Sequence, residues 1–209
     1  LMGDYLADVP LSLPSRLHFR VQGNVHGNLS AANQGPRGCR YGFQYFGRCA
    51  LVLVEGSSFV SVSGGNYTCT GDTAFAISCE HCSNTLIQNL SASGCGQGNI
   101  HFFAAGAAVE IKGVESSGSN RGVWSQTPSH KVLITDSFLH HNGADGVDLD
   151  SMSANVMVRN NRIENNHRAG VFIEEGASDN IVIGNTFFNN SWGVSFYTNM
   201  GGKSPGKYP

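Results

Sequence analysis

One feature limits this chain more than any other: it repeats itself about every 24 residues. Gly122-Val-Trp, Gly146-Val-Asp, Gly170-Val-Phe and Gly193-Val-Ser begin at intervals of 24, 24 and 23. A second series, Val132-Leu-Ile134, Val156-Met-Val158 and Ile181-Val-Ile183, runs in step with it. Between the two lie Asn142, Asn166 and Asn190, each 24 residues after the last. The pattern fades toward the N-terminus but persists through Ala108-Val-Glu-Ile111 and Thr85-Leu-Ile87. A fixed period of this length marks a stack of supersecondary units.

Each unit contains short runs rich in β-formers, broken by Gly, Asn and Ser, and no segment offers an amphipathic helix. Three short strands and three turns cannot bury their own apolar face, but coils stacked on one another can. The expected fold is all-β: a single right-handed parallel β-helix, a three-sheet solenoid with about 24 residues per coil and about 4.8 Å between coils. Residues 1–50 lack the repeat and read as an N-terminal cap and opening coil, with an inserted loop at 32–49. Residues 51–200 read as the β-helix, with roughly six coils at that period. Residues 201–209 read as a C-terminal loop or truncated continuation. The Asn142/Asn166/Asn190 column reads as a stack of amides at left-handed turns, and the repeat glycines as turn residues. In the second series the expected inward ladder is Leu133, Met157 and Val182.

Composition narrows the function. The net charge is −2 with a pI near 6.5, which leaves no basic footprint for nucleic acid. Apolar runs such as Ala50-Leu-Val-Leu-Val54 are too short for a membrane span. The opening residues lack the basic start and apolar core of a cleavable leader, so the sequence reads as a mature or trimmed form. All six cysteines fall between Cys39 and Cys95. An even number in one half predicts at least two disulfides there and a secreted, extracellular protein; the pairing stays open. Cys79-x-x-Cys82 has a second reading as half a zinc site, though no second such pair follows. Sequons at Asn28, Asn66, Asn89 and Asn189 suit N-glycans.

Strand alternation sorts the Gly-Val series by face. Val123, Val147, Val171 and Val194 point inward, as do Ser125, Leu149, Ile173 and Phe196. One outward column is then Trp124, Asp148, Phe172 and Ser195, and the next is Gln126, Asp150, Glu174 and Tyr197. Aromatic rings and carboxylates together suit a sugar chain, which presents CH patches and hydroxyls. Asp148 and Asp150, two apart on one strand, would stand about 6.5–7 Å apart; Asp150 and Glu174, on adjacent coils, about 5 Å. Such acids repel, so one of them is expected to hold its proton and serve as a general acid. The candidate catalytic residues are therefore Asp148, Asp150 and Glu174, and the candidate substrate contacts Trp124, Gln126, Arg168, Phe172 and Tyr197. Arg121, His140, His141 and His167 also lie near the turns. An arginine there could neutralise a uronan carboxylate while a base removes the C5 proton. No Ser-His-Asp nucleophile, phosphate loop or metal-ligand set is visible, and calcium at Asp145, Asp148 and Asp150 is the one cofactor these residues bring into view.

Gly122 to Asn199, with Tyr5 to Pro14, resembles the pectin-lyase-like right-handed β-helix families. Within that group, His140-His-Asn-Gly-Ala-Asp-Gly-Val-Asp-Leu-Asp150 resembles a mannuronan C5-epimerase repeat ending in a catalytic Asp, a role the resemblance implies for Asp150. The DPH motif those enzymes carry one coil earlier is here Trp124-Ser-Gln126. Asp145-Gly-Val-Asp148 is also similar to the Asp-Gly-Ile-Asp of polygalacturonases. That family's paired Asp and Gly-His-Gly would fall near Arg168-Ala169 and Ser191-Trp-Gly193, which do not match them. The expectation is a secreted protein that processes a polysaccharide by lyase, epimerase or hydrolase chemistry. The alternative is a non-catalytic glycan-binding or structural β-helix.

Overall fold

A computed structural model describes residues 2–7, 11–29, 50–71, 73–126 and 128–197. The expected loop at 32–49, with Cys39 and Cys49, and the C-terminal stretch 201–209 lie outside the described residues. Among the described residues, twenty-three short strands form three parallel sheets of eight, eight and seven strands. The first sheet runs from Tyr5–Ala7 to Thr186–Phe188, the second from Leu11–Ser12 to Trp192–Tyr197, the third from His18–Arg20 to Ile181–Ile183. Consecutive strands of a sheet are three elements apart in the chain, so each coil contributes one strand to each sheet. Among the described residues there is no helix. The opening segment expected to cap the solenoid already joins all three sheets.

Packing follows from alternation. Val52, Ile77, Ile100, Val123, Val147 and Val171 stack in register through the second sheet, and all are buried in one continuous core. The third sheet corrects an expectation. Leu133 pairs with Met157 and Met157 with Ile181, while Ile134 pairs with Val158 and Val158 with Val182. Ile134 and Val158 are fully buried, Leu133 and Met157 only partly. The inward ladder is thus Ile134, Val158 and Val182, one residue beyond the expected one at its first two rungs. An apolar triplet does not reveal which of its members face inward.

The asparagine column is a hydrogen-bonded ladder. Asn142 Nδ2 donates to Asn166 Oδ1 at 2.9 Å, and Asn166 Nδ2 to Asn190 Oδ1 at 2.9 Å. The same acceptors take the backbone N–H of Asn142 and Asn166. A second ladder at the next corner runs through Ser137, Asn161 and Asn185. The ladder residues themselves are not left-handed. The left-handed residue is the one before each: His141, Asn165 and Asn189 in the first ladder.

The repeat glycines are not turn residues. Gly122, Gly146, Gly170 and Gly193 lie inside strands of the second sheet. A Cβ on Gly146 would lie 2.4 Å from Ile163 Cγ2 and 2.7 Å from the Gly170 carbonyl oxygen. A side chain there would force adjacent coils apart.

Two disulfides lie among the described residues, Cys69–Cys95 and Cys79–Cys82. The first joins neighbouring coils; the second closes the pair that had the alternative reading as a zinc half-site. Asn66, Asn89 and Asn189 are exposed.

Two stability outcomes follow. Ile134→Ala should cost about 2–5 kcal/mol as a core cavity, whereas Met157→Ala should cost well under that. Gly146→Ala should cost about 1–3 kcal/mol through overpacking. Urea unfolding of the three variants checks both; a Met157→Ala loss as large as that of Ile134→Ala would contradict the register.

Candidate functional site

The outer face of the second sheet carries the expected columns in the expected register. Trp124 pairs with Asp148 and Asp148 with Phe172; Glu174 pairs with Tyr197. Asp150 follows one residue beyond the Leu149–Ile173 pair, where its strand gives way to a turn through Ser151 and Met152. Where the structure departs from expectation is exposure. Asp148 is fully buried, and Trp124, Gln126, Asp150 and Phe172 are each under 10% exposed. Arg168 and Glu174 are half-buried, and Tyr197 is exposed. Alternation fixes which way a side chain leaves the strand, not whether it reaches solvent.

Two arginines hold the buried acids. Arg121 Nε donates to Asp148 Oδ2 at 2.5 Å. Arg168 Nε donates to Asp145 Oδ1 at 2.9 Å, its Nη2 also bonds Asp145, and it lies 3.7 Å from Asp148 Oδ2. The Ala169 backbone N–H adds a bond to Asp145 Oδ1 at 3.1 Å. Each guanidinium also covers a ring: Arg121 lies 4.3 Å from the Trp124 centroid and Arg168 3.7 Å from that of Phe172. Phe172 in turn stacks toward Tyr197, centroids 6.5 Å apart.

Asp150 is held by neutral donors. Trp124 Nε1 donates to its Oδ2 at 3.3 Å, and Ser151 Oγ to its Oδ1 at 2.7 Å. Ser151 Oγ also lies 3.3 Å from Glu175 Oε2. Asp145 and Asp148 are engaged by arginines, and among the described residues no three His, Cys, Asp or Glu side chains are grouped to hold a metal ion.

Burial drives the protonation of these acids. It pushes the Asp148 carboxyl up to about 7 against the pull of Arg121, with Asp145 and Asp150 adding to the rise. It pushes Glu174 up to about 8, helped by the charges of Asp148 and Asp150 and opposed by Arg168. Burial and the charge of Asp150 raise Glu175 as well. At neutral pH the cluster therefore retains protons that isolated carboxyls would have released.

The histidines do not join the site. His140 stacks on Phe138, with Nε2 3.2 Å from Glu115 Oε1 and Nδ1 2.7 Å from His141 Nδ1, on the first sheet. His167 is exposed.

Sequence reasoning missed a buried group on the same outer face. Ser78 Oγ lies 2.9 Å from His101 Nδ1, and His101 Nε2 lies 3.4 Å from Gln126 Oε1. The His101 ring stacks on Phe75 at 4.2 Å. Burial lowers its pKa to about 3, so the ring is neutral and tied into a structural chain. Stepping the Trp124 column back one and two coils would have found His101 and Ser78. The Arg121–Asp145 pairing was also readable, as opposite charges one residue before successive repeat glycines.

The family model "Right handed beta helix region" matches residues 75–204, more than half of the chain. Among curated proteins no sequence matches. Among solved structures the chain is similar to the periplasmic alginate epimerase AlgG T265N mutant, with TM-score 0.58 and 14% identity, covering 91% of this chain and 60% of that one. It is also similar to ORF18 of Geobacillus virus E2, with TM-score 0.55 and 9% identity, covering 96% of this chain and 53% of that one. The chain therefore spans between half and two thirds of these structures, and the likeness is one of fold.

The protonation pattern sets a pH dependence. A carboxyl whose pKa is raised in the folded protein keeps its proton where the unfolded chain has lost it. The contribution of Asp148 and Glu174 to stability is therefore full below about pH 4 and is lost as pH rises through about 7 and 8. Glu174→Gln should flatten the decline in urea midpoint over that range; an unchanged slope would remove Glu174 as a group titrating near 8.

Proposed function

The chain belongs to the right-handed β-helix family, and on that premise we propose that it recognises and processes an extracellular polysaccharide across the outer face of its second sheet. Glu174 is the proton-transfer group. The observation that carries this reading is its carboxyl: half-buried, so within reach of a ligand, beside Tyr197 and Arg168, and holding a proton up to about pH 8. A general acid needs a pKa near the working pH, and carboxyls displaced by burial and like charge cluster at functional sites.

Each neighbour has a defined role. Tyr197, with Phe172 stacked behind it, offers a flat ring for the CH face of a sugar. Asp148 is sealed beneath Arg121 and Arg168 and raises the Glu174 pKa without touching substrate, so it is a positioning residue. Asp150, one coil back, adds to the same rise and is fixed by Trp124 and Ser151. A proton held at Glu174 serves a glycosidic oxygen in hydrolysis; the ionised form serves a ring carbon in epimerase or lyase chemistry. The fold shared with an alginate epimerase supports a polysaccharide as the substrate class. The two described disulfides support an extracellular or periplasmic setting, and Asn28 together with the exposed Asn66, Asn89 and Asn189 are the proposed N-glycan sites in a eukaryotic secretory route.

The burial of Asp148 and Trp124 favours a second reading, in which the acids and arginines only hold the face together and the protein binds glycan without turnover.

One experiment separates the two. The protein is screened on plant, algal and animal polysaccharides, with products read by ultraviolet absorbance and reducing ends. On any substrate turned over, Glu174→Gln should lower the rate about 10²–10⁴-fold while affinity changes much less. Unimpaired turnover in that variant would remove Glu174 from the mechanism; binding without turnover by the wild type would establish the second reading.

A further inference from the structure

A cluster of titratable side chains stands apart from the second-sheet face, at the end of the first-sheet strand Phe138–His140. His140 Nδ1 lies 2.7 Å from His141 Nδ1, with the two rings nearly perpendicular. His140 is fixed from two sides. Its ring stacks on Phe138 at 3.9 Å, and its Nε2 lies 3.2 Å from Glu115 Oε1, one coil back. The His140 side chain is 14% exposed. His141 is exposed and holds the left-handed corner position.

A carboxylate only accepts, so His140 Nε2 carries its proton and Nδ1 keeps a lone pair. That lone pair faces His141 Nδ1, and one proton between the two nitrogens accounts for so short a contact. Once that proton moves to His141 Nε2, two neutral imidazoles present lone pairs 2.7 Å apart, which repel unless one cation takes both. Two donors bound to one metal at a right angle stand about 2.9 Å apart, and rotation of the exposed His141 ring supplies the difference. We propose that His140 and His141 chelate a divalent transition-metal ion, Cu²⁺ in preference to Zn²⁺. Glu115 has the place of the carboxylate that orients a metal-bound imidazole through its other nitrogen. Glu164, in register with His140 on the next coil, is held by two bonds from Arg162 and adds no ligand. Among the described residues no three His, Cys, Asp or Glu side chains are grouped on one ion, so water completes the coordination. Two imidazoles and water make a mixed N,O set, which Cu²⁺ accepts in tetragonal geometry and binds more tightly than Zn²⁺ does. The pair lies on a different sheet from Glu174, so the inference does not depend on the polysaccharide reading.

The test uses the full chain, titrated calorimetrically with copper(II) chloride and separately with zinc chloride at about pH 7, where imidazole is mostly neutral. Electron paramagnetic resonance of the copper form counts the bound nitrogens. The expected result is one Cu²⁺ on two imidazole nitrogens, with Zn²⁺ weaker by about tenfold or more. His141→Asn suits the corner, since Asn165 and Asn189 hold the equivalent left-handed position. It should keep the urea midpoint, weaken Cu²⁺ by about tenfold or more, and remove one nitrogen from the spectrum. Glu115→Ala should weaken Cu²⁺ about tenfold, the scale for losing a partner that orients a ligand. A folded His141→Asn protein that binds Cu²⁺ as wild type does, a wild-type spectrum with fewer than two nitrogens, or Zn²⁺ bound as tightly as Cu²⁺ overturns the inference. Unchanged affinity in Glu115→Ala would mark an adventitious surface pair and overturn it too.

Discussion

Among the described residues, every strand inside a sheet takes its backbone partners from the coil before and the coil after. Strands of three residues, such as Phe138–His140 or Met157–Arg159, have no stability alone. They exist because each coil repeats the register of its neighbour. The asparagine ladders protect that register at the corners, where the chain turns and ladder bonds would lapse. Asn166 accepts from the backbone and side chain of Asn142 and donates to the Leu139 carbonyl of that same coil and to Asn190 Oδ1 of the next. A buried N–H left without such a partner costs about 1–3 kcal/mol, so the corners tolerate few substitutes.

The same repetition builds the candidate site. A constant period delivers residues far apart in sequence to adjacent heights on one face. Arg121 meets Asp148 and Arg168 meets Asp145 because each pair is close to one period apart. Glycine near the start of each of the last four second-sheet strands lets the coils approach closely at that end. The acids are consequently stacked at strand spacing, a distance at which they cannot all ionise once buried. The protonation behaviour of Glu174 is thus a product of the solenoid pitch as much as of its own chemistry.

The fold was legible because its cause is periodic and sequence records periods directly. The Gly-Val series gave the second sheet and its inward valines, and the Asp148, Phe172 and Glu174 columns left the strand on the side expected. Four things were not legible, each for a physical reason. The third-sheet triplets are apolar at all three positions, so alternation had two solutions and the inward rungs Ile134 and Val158 were assigned one residue early. The repeat glycines resemble turn residues in composition, and only atomic distances separate a turn from a close approach. Burial of Trp124 and Asp148 depends on what packs over an outward side chain, which strand periodicity does not encode. His140 and His141 lie near the acids in sequence, but successive corners of the coil face different ways, and His140 belongs to the first sheet.

The Cys69–Cys95 bridge acquires a meaning from the coil geometry. Its two ends are 26 residues apart, close to one turn of the solenoid. A solenoid drawn by its ends unwinds like thread from a spool, because each turn is held only by its neighbours. A covalent tie across one turn acts as a knot in that thread. The 26-residue separation is withheld from the extended length, about 85–90 Å of chain at full reach. Under tension the oxidised protein would therefore yield less slack than the reduced one by that amount, and the second-sheet strand Phe75–Glu80 lies inside the withheld loop.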